Sequence, residues 1–206
     1  MENSNWNTLA SAETIAATKS SLEGNGFNVV IAENAAEAKT QALELLPEGA
    51  EVMTMTSITL DTLELSEEVN TAEKYNSIRK IFSGLNKEHD ADRMQKLGAA
   101  PQWVMGSVHA LTQDGHAVIA SLTGSQLPAY AYGSQHVVWI VGAQKIVKNL
   151  DEAMKRIYEY VLPLESERAH KAYGVPGSSV NKVLIMNKEA TPNRITIIIV
   201  KESLGF

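Results

Sequence analysis

The apolar positions of the chain change period several times, and those changes divide it into elements. Leu9, Ala12, Ala16 and Leu22 recur at helical spacing ahead of Gly24-Asn25-Gly26, which predicts an N-terminal helix within residues 1–26 that closes on a left-handed glycine stop. Phe27–Ala32 then reads as a short β-branched strand, and Asn34 with Glu37 three residues later has the form of an N-cap paired with a first-turn acid. The helix after it places Ala35, Ala38, Ala42, Leu45 and Leu46 on one face and is stopped by Pro47 and Gly49. Glu51–Met55 follows as a second strand. Strand, helix and strand joined by short loops predict a right-handed βαβ unit in a parallel sheet.

Residues 61–99 read as a run of shorter helices, with the charged stretch around His89 as a solvated face to which no chemistry is assigned. Trp103–Leu111 and His116–Leu122 flank Gln113-Asp114-Gly115, the signature of an antiparallel hairpin; if its first arm is extended, Ser107, His109 and Leu111 share a face. A Thr123-Gly124-Ser125-Gln126 corner leaves the second arm, and Leu127-Pro128 opens a short helical segment. His136–Val141 is apolar on both alternating faces, as expected of a central strand covered on both sides. Asn149, with Glu152 three residues on, caps a helix running to about Val161 and closed by Pro163; 164–173 is again helical. Val183–Met186 and Ile195–Val200, separated by Thr191-Pro192-Asn193, predict a terminal hairpin within 181–203. The whole is expected to be one α/β domain, 1–206, built on a central, mainly parallel sheet.

Composition narrows the function. The formal net charge of −6 argues against nucleic acid as a partner. Cysteine is absent, which removes disulfides, a thiolate nucleophile and cysteine-held zinc or iron–sulfur centres, so a redox role needs a borrowed cofactor. No motif names one. The N-terminus lacks the features of a signal peptide and no run is long enough to span a membrane, so a cytoplasmic protein is expected. Base rates for soluble proteins point to a homodimer.

Ligands of open α/β sheets gather at the carboxyl ends of the strands, and polar residues cluster where the apolar runs stop. Thr54, Thr56 and Ser57 follow the second strand, where helix-start amides could hold an anion or Ser57 could simply act as cap. Ser107, His109 and Thr112 punctuate the first arm of the hairpin, Gly124, Ser125 and Gln126 form the corner, and Lys145 follows the central strand. In such a site Lys145 would neutralise an anion, amides near Ser57 and Ser125 would orient it, and His109 would be the proton-transfer group near neutral pH. A nucleophile–base–orienter set is not evident, and no second histidine lies at ligand spacing from His89, so no metal is expected.

With these residues in view, HALTQDGHAVIASLTGSQLPAYAYG at 109–133, VVWIVGAQKIVKNLDEAMKRI at 137–157 and RITIIIVKESLGF from Arg194 resemble the lactate-utilisation (LUD) domain family, the LutC-like proteins. The resemblance implies a three-layer α/β sandwich like that of the NagB/RpiA/CoA-transferase superfamily. It also implies association with oxidation of lactate to pyruvate alongside iron–sulfur partner proteins. Several relatives carry a cysteine-bearing segment where this chain reads LESERAHKAYGVPGSSVNK after Pro163. Two functions stay open: a component of 2-hydroxy-acid metabolism that binds a small anionic metabolite in a cleft, and a non-catalytic binding or regulatory module acting through a protein partner.

Overall fold

The structure, a computed structural model, describes residues 6–206, so the first five residues of the expected N-terminal helix lie outside it. Within the described residues that helix is α1 (Ala12–Gly24), begun by the Ser11 hydroxyl accepting from the Thr14 amide and followed by Gly26 at φ +88°. It leads through β1 (Asn28–Ala32), α2 (Ala35–Glu44) and β2 (Glu51–Thr54). Asn34 caps α2 by accepting from the Glu37 amide at 3.0 Å, while the Glu37 carboxylate reaches back to the Glu33 amide at 2.8 Å. Four short helices follow around a two-residue strand: α3 (Ile58–Thr62), α4 (Leu65–Thr71), β3 (Asn76–Ser77), α5 (Ile78–Ser83) and α6 (Ala91–Ala99).

The six-stranded central sheet is parallel throughout, in the order β1-β10-β7-β4-β2-β3, with β4 (Trp103–Gly106), β7 (His136–Gly142) and β10 (Ile195–Val200) at its centre. β1 and β2 are thus parallel members of one sheet, with three strands between them. Every residue of β10 is buried, as two-sided coverage requires. On one face Ala38, Ala42, Leu60, Leu65 and Val69 from α2, α3 and α4 pack on Val52, Met105, Val138, Ile140 and Ile198. The other face carries α1 and a second, four-stranded sheet in the order β8-β5-β6-β9, comprising β5 (Ala110–Thr112), β6 (Ala117–Ser121), β8 (Ile146–Val147) and β9 (Lys182–Met186). α7 (Leu150–Arg156) covers that sheet's outer side through Ala153.

Three expectations are corrected. The terminal hairpin does not form: β9 is antiparallel to β6 at the edge of the second sheet, and β10 lies parallel between β1 and β7. Burial decides this, because β9 leaves Val183 and Ile185 partly exposed whereas β10 has no exposed face. The first arm 103–111 is not one strand: Trp103–Gly106 joins the central sheet, and only Ala110–Thr112 pairs with β6 across the Asp114-Gly115 turn. Pro163 does not end the last helix. Ile157–Val161 forms a wide π turn, in which the Leu162 amide donates to Ile157 O, and the rod continues as α8 (Leu162–Tyr173) to Gly174 at φ +67°. The wider turn accommodates a ring that a regular α-helix would exclude.

Candidate functional site

Two neighbouring strands leave the central sheet and enter the second one side by side. β4 crosses through Ser107–His109 into β5, and β7 crosses through the 3₁₀ turn Ala143–Lys145 into β8; β4 pairs with β7, and β5 with β8. The two joints therefore adjoin at the carboxyl edge of the sheet, beside the Thr56–Thr59 segment that follows β2 and the C-terminal Leu204–Phe206 that follows β10. They open onto a cleft of about 860 Å³ whose walls include Thr56, Ser57, Thr59, Arg79, Ser107, His109, Gln126, Tyr130, Lys145, Arg168 and Phe206. This is the crevice position expected of an open α/β sheet.

Lys145 lies at the cleft, 2% exposed, and donates from Nζ to Thr59 Oγ1 at 3.0 Å and Ser107 Oγ at 3.2 Å. No carboxylate among the described residues pairs with it. Burial, reinforced by the buried Arg156 guanidinium, holds the amine at about 7 rather than its ordinary 10.5. Both hydroxyls that receive it are themselves oriented: Thr59 Oγ1 donates to Leu204 O at 3.2 Å, and Ser107 Oγ to Val108 O at 3.4 Å. Gln144 fastens the same C-terminal segment through Nε2 to Leu204 O and Gly205 O.

His109 accepts the Ala120 amide on Nδ1 at 3.1 Å, so the neutral ring carries its proton on Nε2. Burial, with Lys145 and Arg156 nearby, pushes its pKa down to about 3. At neutral pH the ring is therefore neutral, with Nε2–H as a donor, because taking a second proton would cost the Ala120 bond and add charge beside Lys145 and Arg156. Arg156 Nη1 secures the same joint by donating to His109 O at 2.7 Å.

Arg79, which sequence reasoning missed, comes from α5. It donates from Nε to Thr54 O at 2.7 Å and from Nη2 to Thr56 Oγ1 at 3.0 Å, and no acid pairs with it among the described residues. Burial lowers its pKa, yet a guanidinium stays cationic. Arg168 also reaches the cleft, but Glu165 cancels it through two 2.7 Å bonds. Tyr130, buried and pushed up in pKa by that burial, sits so close to Gly106 that a Cβ there would come within 1.8 Å of its hydroxyl.

Of the sequence-nominated residues, Thr56, Ser57, Ser107, His109, Gly124, Ser125, Gln126 and Lys145 share this cleft, and Thr54 and Thr112 do not line it. Thr54 is turned inward, where Asn70 Nδ2 donates to its hydroxyl at 2.9 Å; Thr112 is buried and accepts the His116 amide at 2.9 Å, closing the hairpin turn. The Ser-Gln corner spends its groups on itself: Ser121 Oγ takes the Gly124 amide, Thr123 Oγ1 takes the Ser125 amide, and the Gln126 side chain bonds Ser121 and Ala120. Ser57 serves as the α3 cap, accepting the Leu60 amide at 3.4 Å. The Leu60, Gly124 and Ser125 amides are thus spent within their own segments. Among the described residues no three His, Asp or Glu side chains are grouped to hold a metal, and no helix is long and apolar enough to cross a membrane.

Fold and cleft together define an α/β sandwich with a cationic crevice at the carboxyl edge of a parallel sheet. The family model of the LUD domain matches residues 15–200, and the chain belongs to the LUD-domain family. Among solved structures it is similar to a DUF162 family protein from Deinococcus radiodurans, with a TM-score of 0.58 and 12% identity over 94% of this chain and 99% of that one; the likeness shows the shared fold. No curated protein matches.

Proposed function

We propose that this LUD-domain protein is a component of lactate and 2-hydroxy-acid utilisation that binds a small anionic metabolite in the cleft. The observation that carries the reading is the charge balance of the walls. Arg79 and Lys145 both reach the Thr56–Thr59 segment without an ion pair to a carboxylate among the described residues, Asp61 acting on Arg79 only through space, whereas Arg168 is neutralised by Glu165. An anion supplies the missing countercharge, and in a half-enclosed cleft such hydrogen bonds to charged donors are stronger than in water. With a pKa of about 7, Lys145 is divided between amine and ammonium at neutrality, and its ammonium fraction adds to the attraction that Arg79 exerts on a carboxylate. His109 adds one N–H donor that does not change with pH across the neutral range.

Calorimetry and thermal shift with L-lactate, pyruvate, malonate, phosphate and a CoA ester, set against the neutral lactamide, test this. At about a hundred times the dissociation constant a binding anion adds roughly 3 kcal/mol of stability. If every anion leaves the transition where lactamide leaves it, while a protein partner co-purifies, the cleft is not an anion site and the module acts through that partner.

A further inference from the structure

Resting on that anion-binding reading, we propose that Lys145 is a nucleophile that condenses with a small 2-oxo acid to form an imine in the cleft. The hydrogen-bond directions around Nζ carry the inference. Thr59 directs its own O–H to Leu204 O, and Ser107 directs its O–H to Val108 O over a longer 3.4 Å, so in this arrangement both accept from Lys145. A neutral amine has two N–H bonds and one lone pair. The two acceptors use both N–H bonds, and no described residue occupies the remaining tetrahedral position, that of the lone pair. An ammonium in the same place would hold a third N–H for which no acceptor is present among the described residues. The site thus suits the amine, and the charged group that acts on it among the described residues is another cation, Arg156. Arg79, which reaches the same Thr56–Thr59 segment, is a permanent cation placed to hold the carboxylate of a ligand whose carbonyl carbon meets Nζ.

The step balances without a co-reactant. The Nζ lone pair forms a C–N bond to C2 of the oxo acid, and the carbonyl oxygen becomes the hydroxyl of a carbinolamine. The oxygen then leaves as water with the two hydrogens lost from nitrogen, and C2 is left doubly bonded to Nζ. His109, a neutral donor in the same cleft, is available to the oxygen as charge develops on it.

Sodium borohydride reduces an imine to a stable secondary amine, so the test is to treat the full chain with pyruvate or glyoxylate plus borohydride and map the adduct by peptide mass spectrometry. The expected result is a single reduced adduct on the peptide bearing Lys145, absent when pyruvate is omitted and suppressed by excess malonate. Lys145→Arg retains the charge and should lose the adduct. Should that variant fail to fold, the map of the wild-type chain still decides. No adduct, or adducts spread over exposed lysines such as Lys87 and Lys96, overturns the proposal. Malonate and L-lactate have no ketone or aldehyde; if they shift the thermal transition while nothing is trapped, anion binding survives and the imine does not, and if neither binds nor traps, both readings fall.

Discussion

Replacing Lys145 with Met should stabilise the fold near neutrality while removing its chemistry. The amine drops from 10.5 to about 7 on folding, and at about 1.4 kcal/mol per pKa unit this sets a ceiling of roughly 5 kcal/mol for the cost of burying it. Methionine fills a similar volume without that cost. It forfeits two hydrogen bonds worth about 1 kcal/mol each, but Thr59 and Ser107 keep the bonds they donate, so neither is left with an unspent O–H. A net gain of about 1–3 kcal/mol at about pH 7 is expected, in the range seen when buried charges give way to apolar side chains. The pH dependence is the sharper test. Between about 7 and 10.5 the unfolded chain holds a proton on this lysine that the folded chain has released, so wild-type stability rises with pH through that window, and Lys145→Met lacks the rise. Urea unfolding of both proteins from neutral to alkaline pH should therefore show the advantage of the variant shrinking as pH approaches 10.5. A variant less stable than wild type at neutrality, or an advantage that does not change with pH, would refute the assignment of Lys145 as a buried, unpaired amine.

Arg79→Gln should weaken any anion by about tenfold or more in calorimetry, since a charge-assisted bond is worth about 1.5–3 kcal/mol, while moving the unfolding midpoint little; unchanged affinity would take Arg79 out of the site. Gly106→Ala places a methyl 1.8 Å from the Tyr130 hydroxyl and should cost about 3 kcal/mol or more, part of it recovered by Tyr130→Phe; equal losses with and without the hydroxyl would locate the strain elsewhere. His109, held neutral to about 3, makes the folded chain bind fewer protons than the unfolded one between about 3 and 6.5. Its contribution is complete above 6.5 and is lost as pH falls toward 3; His109→Gln should flatten the acid limb of the stability curve, and an unaltered limb would contradict the buried neutral ring.

The elements legible in the sequence were those whose pattern depends on nothing distant. The caps at Asn34 and Asn149 satisfy local amides, and the two-sided apolar run of β7 can lie only where both faces are covered. Strand partners are a different matter. Residues 182–186 and 195–200 are close in sequence and joined by turn formers, which favours a hairpin, yet the fully buried β10 needs an interior slot in a parallel sheet and the half-exposed β9 needs an edge. No single hairpin meets both demands. The split of 103–111 is hidden for a similar reason: polar and apolar residues go on alternating through Ser107, Val108, His109 and Ala110, so the pattern does not mark the joint.

The candidate site follows the same division. Lys145, His109 and Ser107 stood out because they interrupt apolar runs at strand ends, and the paired crossing of β4 and β7 is what brings them together. Arg79 gave no such sign, since it lies in a short helix of weak periodicity and its reach to Thr54 and Thr56 is set by how α5 packs beside β2. The chemistry of Lys145 is still further from the local pattern. In a chain with 24 acidic residues, a lysine is ordinarily answered by one of them. Here the joint buries the amine between two hydroxyls that accept from it, and it faces a guanidinium in place of a carboxylate. That isolation is a property of the packed molecule, and it is what makes a lone lysine available for work that an ion-paired one could not do.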